Sequence, residues 1–362
     1  MPGVLKSSSM PSWEDLSALT PEEKARHFSP GGRLCHALMA QQFDRALLDR
    51  LCELATRTRR IAKTKGGRLF LQNLLSDRRA MLYFAQPSTR TFLSFYTACQ
   101  IIGIQPAEVR DTQTSSELKG ESPEDSVRTF SSYVDLIIMR HPMGGFAERV
   151  AWMLSQTHRC VPVINAGSGK DQHPTQALLD IYTLAYSFSG RGGIEGKTIA
   201  FVGDLKRGRT VRSLSWLLTR YPGVRQIFCA PDALQIGGDV RQGLDAAGMR
   251  WEMTGDFEEV VARADAIYMT RIQDEWDQHG ESQAIDVSRF KFRAEHLQRL
   301  RPEAVLLHPL PRRDEIAVEV DRDPRAVYWR QVRNGMWIRA ALMLLMFDKE
   351  GEINEYYEDL MG

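Results

Sequence analysis

Several stretches of this chain place anion-binding side chains close together. Pro87-Ser88-Thr89-Arg90-Thr91 offers three hydroxyls and a guanidinium in succession. It follows the apolar run Met81 to Ala85 and precedes Phe92, Phe95, Tyr96, Cys99 and Ile102 at roughly helical spacing, so the local order is strand, turn, helix. A helix N-terminus carries unpaired N–H groups and the positive end of the helix dipole, which suits an anion. Ser and Thr are also ordinary N-caps, so alone the stretch fits a well-started helix as well. Four anion-compatible side chains in a row favour a phosphate site.

The other stretches have bland readings of their own. Arg140-His141-Pro142 closes the strand-like run Asp135 to Met139 and, alone, would also serve as a surface ion pair. Thr112 to Glu121, which contains Ser115 and Lys119, reads by default as a solvated loop. His173-Pro174-Thr175-Gln176 starts a helix, where a histidine is often a cap or a packed ring. Residues three apart on a helix nevertheless face one side, so His173 and Gln176 can address one ligand. The turn Gly203 to Thr210 is neither G-x-G-x-x-G nor G-x-x-x-x-G-K-[ST], which excludes the dinucleotide and P-loop readings. What it offers is arginine density around Arg209, fit for bidentate carboxylate recognition. Arg271 and Gln273 end a later strand and suit a second carboxylate. In His308-Pro309-Leu310-Pro311-Arg312 the two prolines fix the backbone and leave carbonyls to face a ligand. Together these stretches make a phosphate-type site in the first half and a dicarboxylate-type site in the second. Such a pair suits group transfer by positioning and charge stabilisation.

The elements that must carry these residues alternate. Strand-like runs at 80–85, 106–110, 135–139 and 161–165 have helical patterns between them, and a second set lies at 198–202, 226–229, 250–254, 266–270 and 304–307. Alternation of this kind predicts an α/β fold of two domains, each a mostly parallel sheet flanked by helices, with ligands at the carboxyl ends of the strands. Expected boundaries are an N-terminal extension at 1–33, a first domain at 34–185 and a second at 186–332. A helix over about 174–187 and a terminal helix within 333–348, packing back on the first domain, would link them. The extension is expected to be loosely held, with one short helix begun by Thr20 as N-cap, Pro21 in the first turn and Glu23 closing a capping box. A formal charge of +1 gives no sign of a nucleic-acid partner. Five scattered cysteines without a CxxC pair argue against disulfides or structural zinc and fit a reducing cytoplasm. No run has membrane-spanning length, and neither a metal cluster nor a cofactor loop is legible.

Taken in order, Ser88-Thr89-Arg90-Thr91, Arg140-His141-Pro142, His173-Pro174-Thr175-Gln176 and His308-Pro309-Leu310-Pro311-Arg312 resemble the motifs of the carbamoyltransferase family. The resemblance covers about residues 35–348. Ornithine-type members usually carry cysteine in the last motif, whereas Pro309 matches the aspartate type, as do Gly203-Asp204-Leu205-Lys206 and Thr270-Arg271-Ile272-Gln273. The resemblance implies transfer of a carbamoyl group from carbamoyl phosphate to L-aspartate without a cofactor. It also implies residue roles. Ser88, Thr89, Arg90, Thr91 and Arg140 would hold carbamoyl phosphate. Thr91, Arg140 and His173 would also polarise its carbonyl and stabilise the oxyanion. Gln176 and the carbonyls of Pro309 and Leu310 would hold the carbamoyl amide. Arg209 would take the α-carboxylate of aspartate, Arg271 and Gln273 the β-carboxylate, with Lys119 and Leu310 also on the aspartate side. Ser115 and Lys119 match a loop that in this family completes a neighbour's site, implying a homotrimer with shared active sites. Arg207 and Trp276 depart from the family pattern on the aspartate side, and the extension has no counterpart in its short members. A carbamoyltransferase acting on ornithine or an N-acylated ornithine, or a non-catalytic scaffold for a partner enzyme, is the alternative.

Overall fold

The computed structural model describes residues 10–110, 120–169, 172–272 and 286–361. The chain divides into two compact units, Met1–Leu178 with Gly335–Gly362, and Leu179–Asn334.

The first unit begins with α1 (Trp13–Ala18) and α2 (Pro21–Phe28). The Thr20 capping box is present: the Glu23 N–H donates to Thr20 Oγ1, and the Thr20 N–H donates back to Glu23 Oε2 at 2.9 Å. The expectation of one short helix on a loosely held tail is corrected. There are two helices, and Leu16 and Phe28 are fully buried. The indole of Trp152 donates to the Pro11 carbonyl at 2.9 Å, and Lys24 pairs with Glu148 at 3.2 Å. The ring contacts Trp13–Trp152 and Phe28–His36 outweigh the polar composition of this segment.

After α3 (Arg45–Ile61) and α4 (Lys65–Asn73) comes β1 (Arg79–Phe84), then α5 (Thr89–Ile101), β2 (Gln105–Val109), α6 (Pro123–Ser131), β3 (Leu136–Arg140), α7 (Phe146–Ser155), β4 (Val163–Asn165) and α8 (Pro174–Ser187). The strands are parallel in the order β2-β1-β3-β4, with Phe84 beside Arg140 and Met139 beside Asn165. β1 and β3 are buried along nearly their whole length, as strands covered on both faces must be. β4 is two residues shorter than expected at its start, although the Pro162 carbonyl still accepts the Ile137 N–H of β3 at 2.9 Å.

The second unit holds β5 (Thr198–Val202), α9 (Arg209–Leu218), β6 (Arg225–Cys229), α10 (Gly238–Ala246), β7 (Arg250–Thr254), α11 (Phe257–Arg263), β8 (Ala266–Met269) and β9 (Val305–Leu307), all parallel in the order β7-β6-β5-β8-β9. The last two helices are α12 (Tyr328–Met346) and α13 (Glu350–Met361). α12 starts five residues before the expected 333, and Tyr328, Gln331 and Asn334 are buried there too. α13 is a helix the apolar pattern did not reveal. It packs on α3 and α4 through an Arg50–Glu350 ion pair and a Phe70–Tyr356 stack with centroids 3.9 Å apart.

Candidate active site

Each sheet reverses its winding once. In the first unit β1 leads through α5 to β2 on one side, whereas β3 leads through α7 to β4 on the other. The crevice at the carboxyl ends of β1 and β3 is therefore the switch point where parallel sheets bind ligands. Ser88 to Thr91 follow β1 there, and Arg140 ends β3 in register with Phe84.

The opening stretch is distinguished by what Ser88 does not do. Ser12, Thr20, Asp44, Thr64 and Ser122 each cap their helices by accepting a backbone N–H three residues on. Ser88 holds the N-cap place of α5 with no such side-chain bond. The first turn of α5 contains no acid, Arg90 is exposed, and Thr91 is buried. That favours the anion-site reading over the plain cap.

Arg140 and His173 are brought together around Gly167. A β-carbon there would lie 2.9 Å from His173 Nε2 and 3.1 Å from Arg140 Nη1, and Gly167 has φ +100°. Asn165 makes this turn: its Oδ1 accepts the N–H groups of Gly167 and Ser168 at 2.9 and 2.8 Å, and its Nδ2 donates to the Leu38 carbonyl at 3.0 Å. Ser168 Oγ in turn accepts the His141 N–H at 3.0 Å. Burial pushes the His141 ring below its usual pKa, Glu124 opposing, and His141 Nδ1 accepts from the Met143 N–H. His141 thus packs and shapes the loop. Gln176 lies one turn into α8 from His173, and its N–H donates to the His173 carbonyl. Asn165, Gly167 and Ser168 were missed in the sequence; the Asn-x-Gly-Ser run is itself a turn signal.

The second unit repeats the logic. β5 and β8 lie side by side where the winding reverses, and Gly203 to Arg209 and Thr270-Arg271 follow their carboxyl ends. Gly203, at φ +113°, would put a β-carbon 2.3 Å from the Thr270 carbonyl oxygen, so the two turns touch through backbone. Asp204 is fully buried and accepts the Arg207 N–H at 3.1 Å while its carboxylate stands 3.8 Å from the Arg207 guanidinium. Arg207 is thereby a support of the turn, and Arg209 is the first residue of α9. The Arg271 guanidinium donates to the Ile272 carbonyl at 2.8 Å.

His308, Pro309 and Leu310 follow β9. Leu310 takes φ +55°, a sparse region for a side chain of its size, and its N–H donates to His308 Nδ1 at 2.7 Å. His308 Nε2 therefore carries the proton and donates to Glu315 Oε1 at 2.6 Å. Burial holds His308 below its usual range, against the pull of Glu315. Burial also raises Glu315, but the bond from His308 and the Arg313 N–H outweigh it, so the pair is neutral imidazole and carboxylate. The His308 N–H donates to Gln331, whose amide donates to the buried Asp180; the Tyr268 hydroxyl donates to the same carboxylate. Glu315, Gln331 and Asp180 carried no sequence signal, since each lies outside the motif it supports.

Ser115, Lys119, Gln273 and Trp276 fall outside the described residues. Among the described residues no cluster of His, Cys, Asp or Glu is arranged to hold a metal, and no helix is long and apolar enough to cross a membrane.

The chain matches two family models, "Aspartate/ornithine carbamoyltransferase, carbamoyl-P binding domain" over residues 35–186 and "Aspartate/ornithine carbamoyltransferase, Asp/Orn binding domain" over residues 195–346. It is 40% identical over 322 residues to the chloroplastic aspartate carbamoyltransferase of Oryza sativa, covering 87% of this chain and 85% of the relative. It is 38% identical to the aspartate carbamoyltransferase catalytic subunit of Chromobacterium violaceum, covering 87% of this chain and 98% of that one. Among solved structures it is similar to aspartate transcarbamoylase from Trypanosoma cruzi in complex with carbamoyl phosphate and aspartate, with TM-score 0.74 and 36% identity over 87% of this chain and 97% of the other.

Proposed function

Because the chain belongs to the aspartate/ornithine carbamoyltransferase family, we propose that it transfers the carbamoyl group of carbamoyl phosphate to the amine of L-aspartate. The products are N-carbamoyl-L-aspartate and phosphate, a step of de novo pyrimidine synthesis. The observation that carries the reading is the pair of switch points, each followed by arginines and hydroxyls instead of a glycine fingerprint. The identity of the relatives and Pro309 favour aspartate over ornithine.

In this reading Ser88, Thr89, Arg90, Thr91 and Arg140 hold the phosphate, together with Ser115 and Lys119. Thr91, Arg140 and His173 face the carbamoyl oxygen, where negative charge grows as the tetrahedral intermediate forms. Preorganised donors at such a point lower the barrier most. Gln176 and the carbonyls of Pro309 and Leu310 orient the carbamoyl amide. Arg209 takes the α-carboxylate and Arg271 with Gln273 the β-carboxylate, with Lys119 and Leu310 also on that side. The neutral amine forms the new C–N bond, the C–O bond to phosphate breaks, and the departing phosphate takes up the amine proton.

A homotrimer with shared sites is part of the proposal, supported by the match of Ser115 and Lys119 to the family's crossing loop. The name of the Chromobacterium relative, a catalytic subunit, leaves room for a separate regulatory partner. Cytoplasmic placement rests on the scattered free cysteines. The test is an assay of purified protein with carbamoyl phosphate and each acceptor. Turnover with L-aspartate is expected; turnover with ornithine or an N-acylated ornithine and none with aspartate overturns the assignment. Mixing Lys119→Ala and Arg209→Ala proteins should restore activity through sites wild type in both halves. No recovery after verified subunit exchange contradicts shared sites.

A further inference from the structure

The loop that carries His173 is held at both flanks by a segment outside the reaction's own motifs. Residues 37 to 42 run beside β4, where Ala37 bridges Ile164, the Ala37 N–H donates to the Val163 carbonyl and the Asn165 N–H donates to the Ala37 carbonyl. Gln42 stiffens this arc from within: its Oε1 accepts the Leu38 and Met39 N–H groups at 2.7 and 3.2 Å, and its Nε2 donates to the His36 carbonyl at 2.6 Å. Upstream, Asn165 ties the loop to Leu38. Downstream, Gln172, the residue before His173, does the same. Its Oε1 accepts the Ala40 N–H at 2.7 Å and its Nε2 donates to Gln41 Oε1 at 2.8 Å. A backbone N–H can only donate, so the amide orientation of Gln172 is fixed by Ala40.

We propose that Gln172 is a positioning residue for His173, and that the 37–42 arc, through the Ala40 N–H, sets where the His173 imidazole stands against Arg140. The inference rests on the carbamoyl-transfer reading for its effect on turnover. Its bonds run to residues 40 and 41 and not to the Ser88–Thr91 stretch, so phosphate binding and carbonyl polarisation should separate when it is removed. Ala40 is fully buried, so losing its acceptor leaves a buried donor that the arc must move to satisfy. A displacement of about 1 Å at a group acting on the reacting atoms is enough to cost about 100-fold in rate.

Two variants approach this bond from opposite ends. Gln172→Leu removes the acceptor at similar volume. Ala40→Pro removes the donor at the first residue of the single 3-10 turn Ala40–Gln42, after Met39 in extended conformation (φ −146°, ψ 155°), a place proline accepts. Each is expected to lower kcat by about 10- to 100-fold, to leave the dissociation constant of inorganic phosphate within about threefold, and to combine non-additively. A kcat within twofold of wild type in Gln172→Leu overturns the proposal, as does a loss of phosphate affinity in step with kcat, which marks a merely structural role. If Ala40→Pro does not fold, Gln172→Leu decides alone. The His173 imidazole resonance should shift in Gln172→Leu in two-dimensional NMR. An unchanged resonance overturns the inference even where the wild-type protein proves inactive with aspartate, an outcome that would instead remove the functional reading.

Discussion

Gly167 leaves room for His173: a β-carbon on it would stand 2.9 Å from the imidazole Nε2, closer than real carbon contacts come, and its φ of +100° disfavours any side chain. The same missing atom lets Arg140 approach. Gly167→Ala should therefore separate the two groups while the sheet beneath them stays intact. The expected result is a fall in kcat/KM of about 100-fold with a far-ultraviolet circular dichroism spectrum like the wild type. Steady-state kinetics at saturating aspartate checks it, and activity within threefold of wild type would contradict the juxtaposition.

The N-terminal segment belongs to the first unit's core. Phe28 is fully buried and meets the His36 ring edge-on at 6.0 Å, and Trp13 lies 5.9 Å from Trp152. Phe28→Ala is expected to destabilise the protein by about 3–5 kcal/mol, read as a lower urea midpoint. An unchanged midpoint would mean that the segment is dispensable for folding, as a detached tail would be.

Acid should destabilise the fold through its buried histidines. Burial lowers His36 to about 4 from an ordinary 6.5, and its Nδ1 already accepts the Val163 N–H. The unfolded chain takes up a proton below pH 6.5, whereas the native ring does so only near 4. Stability from this group is therefore complete above 6.5 and is lost as the pH falls to about 4, by on the order of 3 kcal/mol. His308 and His141, also lowered by burial, act in the same direction. Urea midpoints at pH 7.5, 6, 5 and 4.5 should fall steadily, and His36→Gln should flatten the profile while lowering its plateau. A profile that is the same in the variant would remove His36 as the cause.

What the sequence disclosed and what it hid follow from physical range. Strands β1, β3, β5 and β8 were legible because buried parallel strands are continuous apolar runs, whereas the exposed edge strands β2 and β7 were legible only from the alternation around them. Ser88 was ambiguous because a phosphate ligand and an N-cap are the same residue type, and its lack of a side-chain cap bond to α5 is not legible in the sequence. Asn165, Gln172, Gln331 and Asp180 were hidden because their partners lie up to 151 residues away, beyond any local pattern. The first helices were undervalued because Leu16, Phe28 and Trp13 are sparse among polar neighbours, and helix α13 because its aromatic face, Tyr356 and Tyr357, meets arginines and a phenylalanine instead of an aliphatic core.

The central claim is that the stretch after β1 binds the phosphate of the donor, and Arg90 is its one charged side chain. Arg90→Ala, assayed with carbamoyl phosphate and L-aspartate, tests it most directly. Loss of a preorganised donor at developing charge predicts a fall in kcat/KM of about 100- to 1,000-fold, with the fold unchanged. A kcat/KM within threefold of wild type would contradict the claim.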